Sequence, residues 1–151
     1  MTRHNHVPIH KQSFAFCRYS LAALTWLALA FHSTQLVVAA GVIMLLSALL
    51  RVGRAPLIVL WDVTFEKLRP SPIEMLDENA MRFAHFFGFA LFALDGLLLS
   101  FHATALAGWI FLGLIGIAKT AGALGFCAAS KMYTCAANSS GSCCSFWRRL
   151  R

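Results

Sequence analysis

The second half of the chain carries few ionisable side chains in long apolar runs, and those few are where chemistry could reside. Asp95 is the one carboxylate within such a run. If the segment around it is helical, Asp95 lies about 12 Å below the Phe101-His102-Ala103-Thr104 turn, deep enough in hydrocarbon for an unpartnered charge to be costly. Ala84, Gly88, Leu91, Asp95, Leu98 and His102 share a helical stripe, and its small residues suit a helix-facing surface. Two readings follow. Asp95 makes a structural polar contact with Thr25, Ser33 or Thr34 of the first half, or it joins His102, reached through water, as a proton relay or ion site. Lys119 lies about 24 Å from the same turn, too far along the axis for a direct pair with Asp95. That depth matches His85 and Arg18, so Lys119 either snorkels to the headgroups or lines an anion-accessible cavity. Arg18, Arg51, Arg54 and Arg82 form a basic belt at the same level, suited to anionic lipid headgroups.

The five cysteines are Cys17, Cys127, Cys135, Cys143 and Cys144. Their spacing lacks the close Cys-x-x-Cys pair of a tetrahedral metal site, and the adjacent pair at 143 and 144 suits one poorly. Cys127 is the candidate nucleophile, because Gly122 and Gly125 leave its segment open to close approach, and Cys17 is expected at a similar depth. His32 and His102 occupy equivalent turns but lack supporting ligands, and His4, His6 and His10 read as part of a solvated terminus. No metal or cofactor is expected.

These residues need elements to hold them. In 151 residues, 59% are hydrophobic and only 13% charged, with a mean hydropathy of +0.69. A water-soluble domain of this size would leave much of that surface exposed, so the expectation is one membrane domain over 1–151, with lipid as its solvent. Apolar segments at 13–31 and 35–50 form a first hairpin (13–50) and those at 78–100 and 103–124 a second (78–124), with 35–50 short for a crossing. Between them, Pro56 suits a helix start, and Leu57, Leu60, Trp61, Thr64, Phe65 and Leu68 recur at helical spacing among charges. Residues 55–69 are therefore expected as an interfacial amphipathic helix. Asp77 is placed to cap the next helix, and 125–151 form a tail. Phe31-His32-Ser33-Thr34-Gln35-Leu36 and Phe101-His102-Ala103-Thr104-Ala105-Leu106 lie seventy residues apart, which suggests two parallel hairpin repeats. The expected fold is thus an all-α, four-span membrane bundle. Every Lys and Arg lies in the amino-terminal lead, the 51–82 connector, the tail or the adjoining helix ends. The positive-inside rule then places both termini and the connector in the cytoplasm and both turns outside. A net charge of +7 placed at the edges of apolar runs fits membrane flanks, not a nucleic-acid surface.

Arg82-Phe83-Ala84, Gly88-Phe89 and the closing Gly125-Phe126-Cys127 with Lys131-Met132-Tyr133 resemble the second half of the bacterial membrane family named domain of unknown function 4395. In that family an Asn-x-x-Arg-Phe opening and a Phe-Cys-x-Gly-Cys-x-x-Tyr close recur, and the resemblance extends over roughly residues 13–135. It implies four helices in the bacterial inner membrane and no defined activity. Where such relatives carry Cys-x-x-Cys, this chain has Cys127-Ala-Ala-Ser130. A dithiol cycle would then need Cys17, Cys135 or an external thiol to resolve it. The leading expectation is a non-enzymatic membrane component, a small permease or an accessory subunit with a cytoplasmic protein partner or a second copy. A thiol or sulfur-handling protein using Cys127 and a lipid-organising structural protein are the alternatives.

Overall fold

The structure, a computed structural model, describes residues 6–50, 52–66 and 72–126. Among them the order is β1 (His6–His10), α1 (Lys11–Ala30), α2 (Thr34–Leu49), a helical turn at Val52–Arg54, α3 (Pro56–Trp61) widening into a π turn over Asp62–Glu66, β2 (Ile73–Asp77), α4 (Glu78–Ser100), a 3-10 turn at His102–Thr104 and α5 (Ala105–Ala123). The chain is mostly helical. Three helices, Lys11–Ala30, Glu78–Ser100 and His102–Ala123, are long and apolar enough to cross a membrane; α2 has 16 residues. Leu27, Val38, Leu97, Ile110, Leu114 and Ile117 stand exposed around them, a surface that lipid solvates far better than water.

The amino-terminal lead departs from the expected solvated segment, and the fold is not purely α. His6–His10 pairs antiparallel with Ile73–Asp77, His6 opposite Asp77 and His10 opposite Ile73. Lys11 N–H donates to the Pro72 carbonyl at 3.0 Å, extending the ladder by one step. Bonded and non-bonded pairs alternate along an antiparallel ladder, so Pro8 opposite Met75 falls at a non-bonded pair, where its missing N–H is no loss. The ribbon forms because it has apolar backing. Ile9 is buried, and Val7 and Leu76 pack against the helical core.

Each strand runs directly into a helix. Asp77 caps α4, its carboxylate accepting from the N–H groups of Asn79 and Ala80 at 3.0 and 3.4 Å, a contact worth about 1 kcal/mol. α1 packs along α5 and α2 along α4, while α1–α2 and α4–α5 form the hairpins. The shared core holds Leu21, Ala28, Val37, Ala40, Met44, Phe92, Leu112 and Ile115. Trp26 of α1 lies against Gly116 and donates its indole N–H to Thr120 Oγ1 at 2.9 Å.

The α1–α2 turn closes α1 with a pair of returning bonds. Ser33 N–H donates to Ala28 and His32 N–H to Leu29, at 3.1 and 3.3 Å, which puts His32 in the left-handed region at φ 48°. The end of α5 repeats the pattern with Gly125 at φ 106°, Phe126 N–H reaching Ala121 and Gly125 N–H reaching Gly122. The rotation of α3 about its axis buries Ala55 and Ile58 and leaves Leu60 and Phe65 exposed, as an interfacial helix would leave its apolar stripe. Two contacts set this rotation. The Ser13 hydroxyl donates to Asp62 Oδ1 at 2.5 Å, and the Phe16 and Trp61 rings meet at 4.9 Å.

The strand register can be tested by crosslinking with the native cysteines replaced by alanine. His10→Cys with Ile73→Cys occupies a non-bonded pair, with Cα atoms about 4.5 Å apart, inside the range a disulfide spans. Oxidation should join that pair within one chain, as counted by maleimide gel shift. His10→Cys with Met75→Cys, displaced by two residues, should stay reduced; the reverse result would mean a different register.

Candidate functional site

At the end of the bundle that bears the strands, α1, α4 and α5 part around a cavity of about 360 Å³, with Met44 of α2 in its wall. Among the described residues, the polar side chains lining it are Cys17 and Arg18 from α1, Glu74 from β2, His85 from α4 and Lys119 from α5.

Lys119 reaches across from α5 toward α4, because α4 offers it a notch at Gly88. A Cβ at position 88 would stand 2.7 Å from Lys119 Nζ and 2.0 Å from Met44 Cε, so glycine is what admits both tips. The ammonium sits 3.5 Å from Met44 Sδ and 5.6 Å from the centre of the Phe92 ring. Both are soft, weakly polar neighbours. Lys119 is itself part-buried and lines the cavity.

Arg18 does not extend into lipid. Its guanidinium donates to the carbonyls of Gly122 and Ala123, the latter at 2.7 Å, and its Cζ lies 5.4 Å from the centre of the Phe14 ring. It therefore closes the carboxyl end of α5, where the helix dipole favours a cation. Arg82 does the same for α2, its Nε donating to the Ala48 carbonyl at 3.0 Å. His85 is buried, and its Nδ1 has no hydrogen-bond partner. Cys17 is a free thiol and 1% exposed, so it contributes a weak donor to the wall but not an accessible nucleophile. Lys119 lies close enough to act electrostatically on both Cys17 and His85.

The cavity brings together Arg18, His85 and Lys119, which sequence reasoning placed at one level, and adds Cys17. It does not include Asp95. That carboxylate is fully buried on α4, and neither oxygen has a hydrogen-bond partner. The expected contact with Thr25 is not formed, since the Thr25 hydroxyl donates to the Leu21 carbonyl at 2.7 Å within its own helix; Ser33 and Thr34 supply none either. His102 stands exposed on its turn, away from the buried face of α4 that carries His85, Gly88, Phe92 and Asp95. His32 packs its ring on Trp109, 4.8 Å between centres. Arg54 is exposed. Arg51 and Cys127, with Ser130 and the later cysteines, lie outside the described residues. Among the described residues, no group of three His, Cys, Asp or Glu side chains could hold a metal ion. Glu74 and Met44 were not singled out from sequence. Neither sits in a motif, and only the fold carries them to the cavity.

The family described as domain of unknown function (DUF4395) matches residues 14–137. The chain belongs to this family. Every lining residue of the cavity falls within the matched span, whereas β1 precedes it. No curated protein matches this DUF4395 chain, and no solved structure does.

Gly88→Ala tests the notch. The added methyl meets two flexible side-chain tips, so the variant should fold while losing about 1–3 kcal/mol, the usual cost of overpacking. Combined with Met44→Ala, it should cost less than the sum of the two single changes, as measured by denaturant titration in detergent. Strict additivity would show that Met44 and Gly88 are not in contact.

Proposed function

We propose that this chain is a four-helix membrane bundle of two strand-helix-helix repeats whose basic cavity holds a small anion at the cytoplasmic face. It would act as a small permease or as the accessory subunit of an assembly, with no covalent step of its own. The observation that carries this reading is Lys119, set in the Gly88 notch of a cavity that His85 and Arg18 also line.

Several features support the architecture. The strand register is centred on Pro8 opposite Met75, as a two-fold relation between the halves requires. The junctions β1–α1 and β2–α4 lie sixty-seven residues apart and the two turns seventy apart. The difference is taken up by α4, which has 23 residues against 20 in α1. Arg18 in the first helix of one half caps the second helix of the other, and Arg82 returns the relation. At 16 residues, α2 spans about 24 Å and crosses with local thinning of the bilayer. The exposed Val59, Leu60 and Val63 of the α3 segment suit the lipid interface. The positive-inside rule puts the strands, the connector and the cavity in the cytoplasm of a bacterial inner membrane. Lipid is the constant partner, and a cytoplasmic protein or a second copy belongs to the accessory-subunit form of the reading.

In nanodiscs, calorimetric titration with acetate, hexanoate, phosphate and sulfate should find at least one that binds, and Lys119→Met should weaken it ten-fold or more. Binding by none of the four would end the proposal. Asp95→Asn should leave binding unchanged. In a permease it should also abolish uptake into proteoliposomes, whereas an accessory subunit would show no uptake to lose. Orientation is checked separately. A cysteine at position 102 should react with an impermeant maleimide added outside intact cells, and one at position 74 should not.

A further inference from the structure

We infer that Asp95 is a proton-binding site in the middle of the bundle, and that its ligand is a proton and not a metal cation. This does not rest on the anion-binding reading above. Asp95 is fully buried, and neither carboxyl oxygen has a hydrogen-bond partner in the protein. An ionised carboxylate in such a place is costly without donors or a counter-ion, and the neutral acid much less so.

The neighbouring helices supply neither. On α2, Met44 meets Gly88, and a Cβ at Gly41 would stand 3.4 Å from Phe92 Cβ. The pair runs antiparallel, so one further turn brings the fully buried Val37 opposite Asp95. On α5, Gly108 lies against Leu99, and one turn on the fully buried Leu112 reaches the level of Asp95. The buried hydroxyl of Thr25 on α1 donates to the Leu21 carbonyl. Charged groups lie elsewhere. α2 has no ionisable residue, and α5 has Lys119 alone, whose ammonium lies at Gly88, about 10 Å along the α4 axis from Asp95. α1 carries Lys11, Cys17, Arg18 and Tyr19 in its first half, and α4 carries Glu78, Arg82 and His85 in the half nearer the strands. Glu74, Asp77 and Arg54 belong to that end too, and His102 stands exposed beyond the other. The cavity lining includes Gly88 and Leu91 but neither Phe92, 2% exposed, nor Asp95.

A hard metal cation takes six or more oxygens, whereas a proton takes one lone pair. Asp95 belongs, among the described residues, to no group of three His, Cys, Asp or Glu side chains that could hold a metal ion. The acid O–H bond breaks when water reaches the carboxyl and takes the proton, and it forms again when the group is enclosed. In the permease form of the reading above, that proton is the co-ion of the anion.

The experiment is infrared spectroscopy of the full chain in nanodiscs at neutral pH. The wild type should show the carbonyl stretch of a neutral carboxylic acid, and Asp95→Asn should lose it. A second measurement needs no variant. Carbodiimides add the O–H of a carboxylic acid, and peptide mass spectrometry locates the product. The apolar dicyclohexylcarbodiimide should modify Asp95, a water-soluble carbodiimide should spare it while modifying the exposed Glu74, and sodium or calcium chloride should not slow the reaction at Asp95. Absence of the acid band from the wild type, or its persistence in Asp95→Asn, would overturn the proposal. Protection of Asp95 by sodium or calcium would overturn it as well, by making the ligand a metal cation. None of these outcomes touches anion binding, which Lys119→Met reads separately.

Discussion

The rest of this structure depends on how its helices end. Where a helix end is packed against protein, its last carbonyls must find donors there. α1 and α5 meet part of that requirement locally, through the left-handed residues His32 and Gly125. The remainder is met across the fold by Arg18 and Arg82. These arginines join helices distant in sequence, so the bonds that finish α2 and α5 also fasten one half of the chain to the other. The ribbon of β1 and β2 does the same for the segments that lead into α1 and α4. One end of the bundle thereby becomes rich in polar contacts, while the other is closed by short turns.

The cavity is a consequence of that arrangement. Arg18 is the eighth residue of α1 and His85 the eighth of α4. The two face one space with different chemistry. Arg18 spends its donors on the backbone of α5, and His85 keeps a nitrogen unpartnered. Between them the absence of a side chain at Gly88 admits the tip of Lys119. A bulkier residue there would fill the space the ammonium occupies, so a glycine in the wall sets the position of its charge.

Much of this was legible in the sequence, for reasons that are local. The helical spans follow from apolar length, the start of α4 from Asp77, and the start of α3 from Pro56. Helical rise alone put Lys119, His85 and Arg18 at one depth. What stayed hidden depends on partners far along the chain. His6–His10 reads as a polar lead until Ile73–Asp77 lies beside it and Ile9 finds the core. The rotation of α3 depends on Ser13 and Phe16, some fifty residues earlier. Arg18 carries the signature of a headgroup-seeking side chain, and nothing near it in sequence announces the carbonyls of Gly122 and Ala123.

Asp95 shows the same limit from the other side. Gly88 and Asp95 of its stripe lie on a buried face and His102 is exposed, but a stripe does not say whether a neighbour's polar group is free to answer. Thr25, Ser47, Ser100 and Thr120 each donate to the carbonyl four residues earlier in their own helix. Hydroxyls in helices commonly satisfy themselves in this way, which leaves the carboxylate without a donor. The polar groups of the helical interior are therefore divided. Lys119 and His85 share a cavity, and Asp95 lies one turn beyond Phe92, outside the cavity lining. Holding an anion and moving charge past the middle of the bundle would then be separate acts by separate residues, and a substitution can remove one and spare the other.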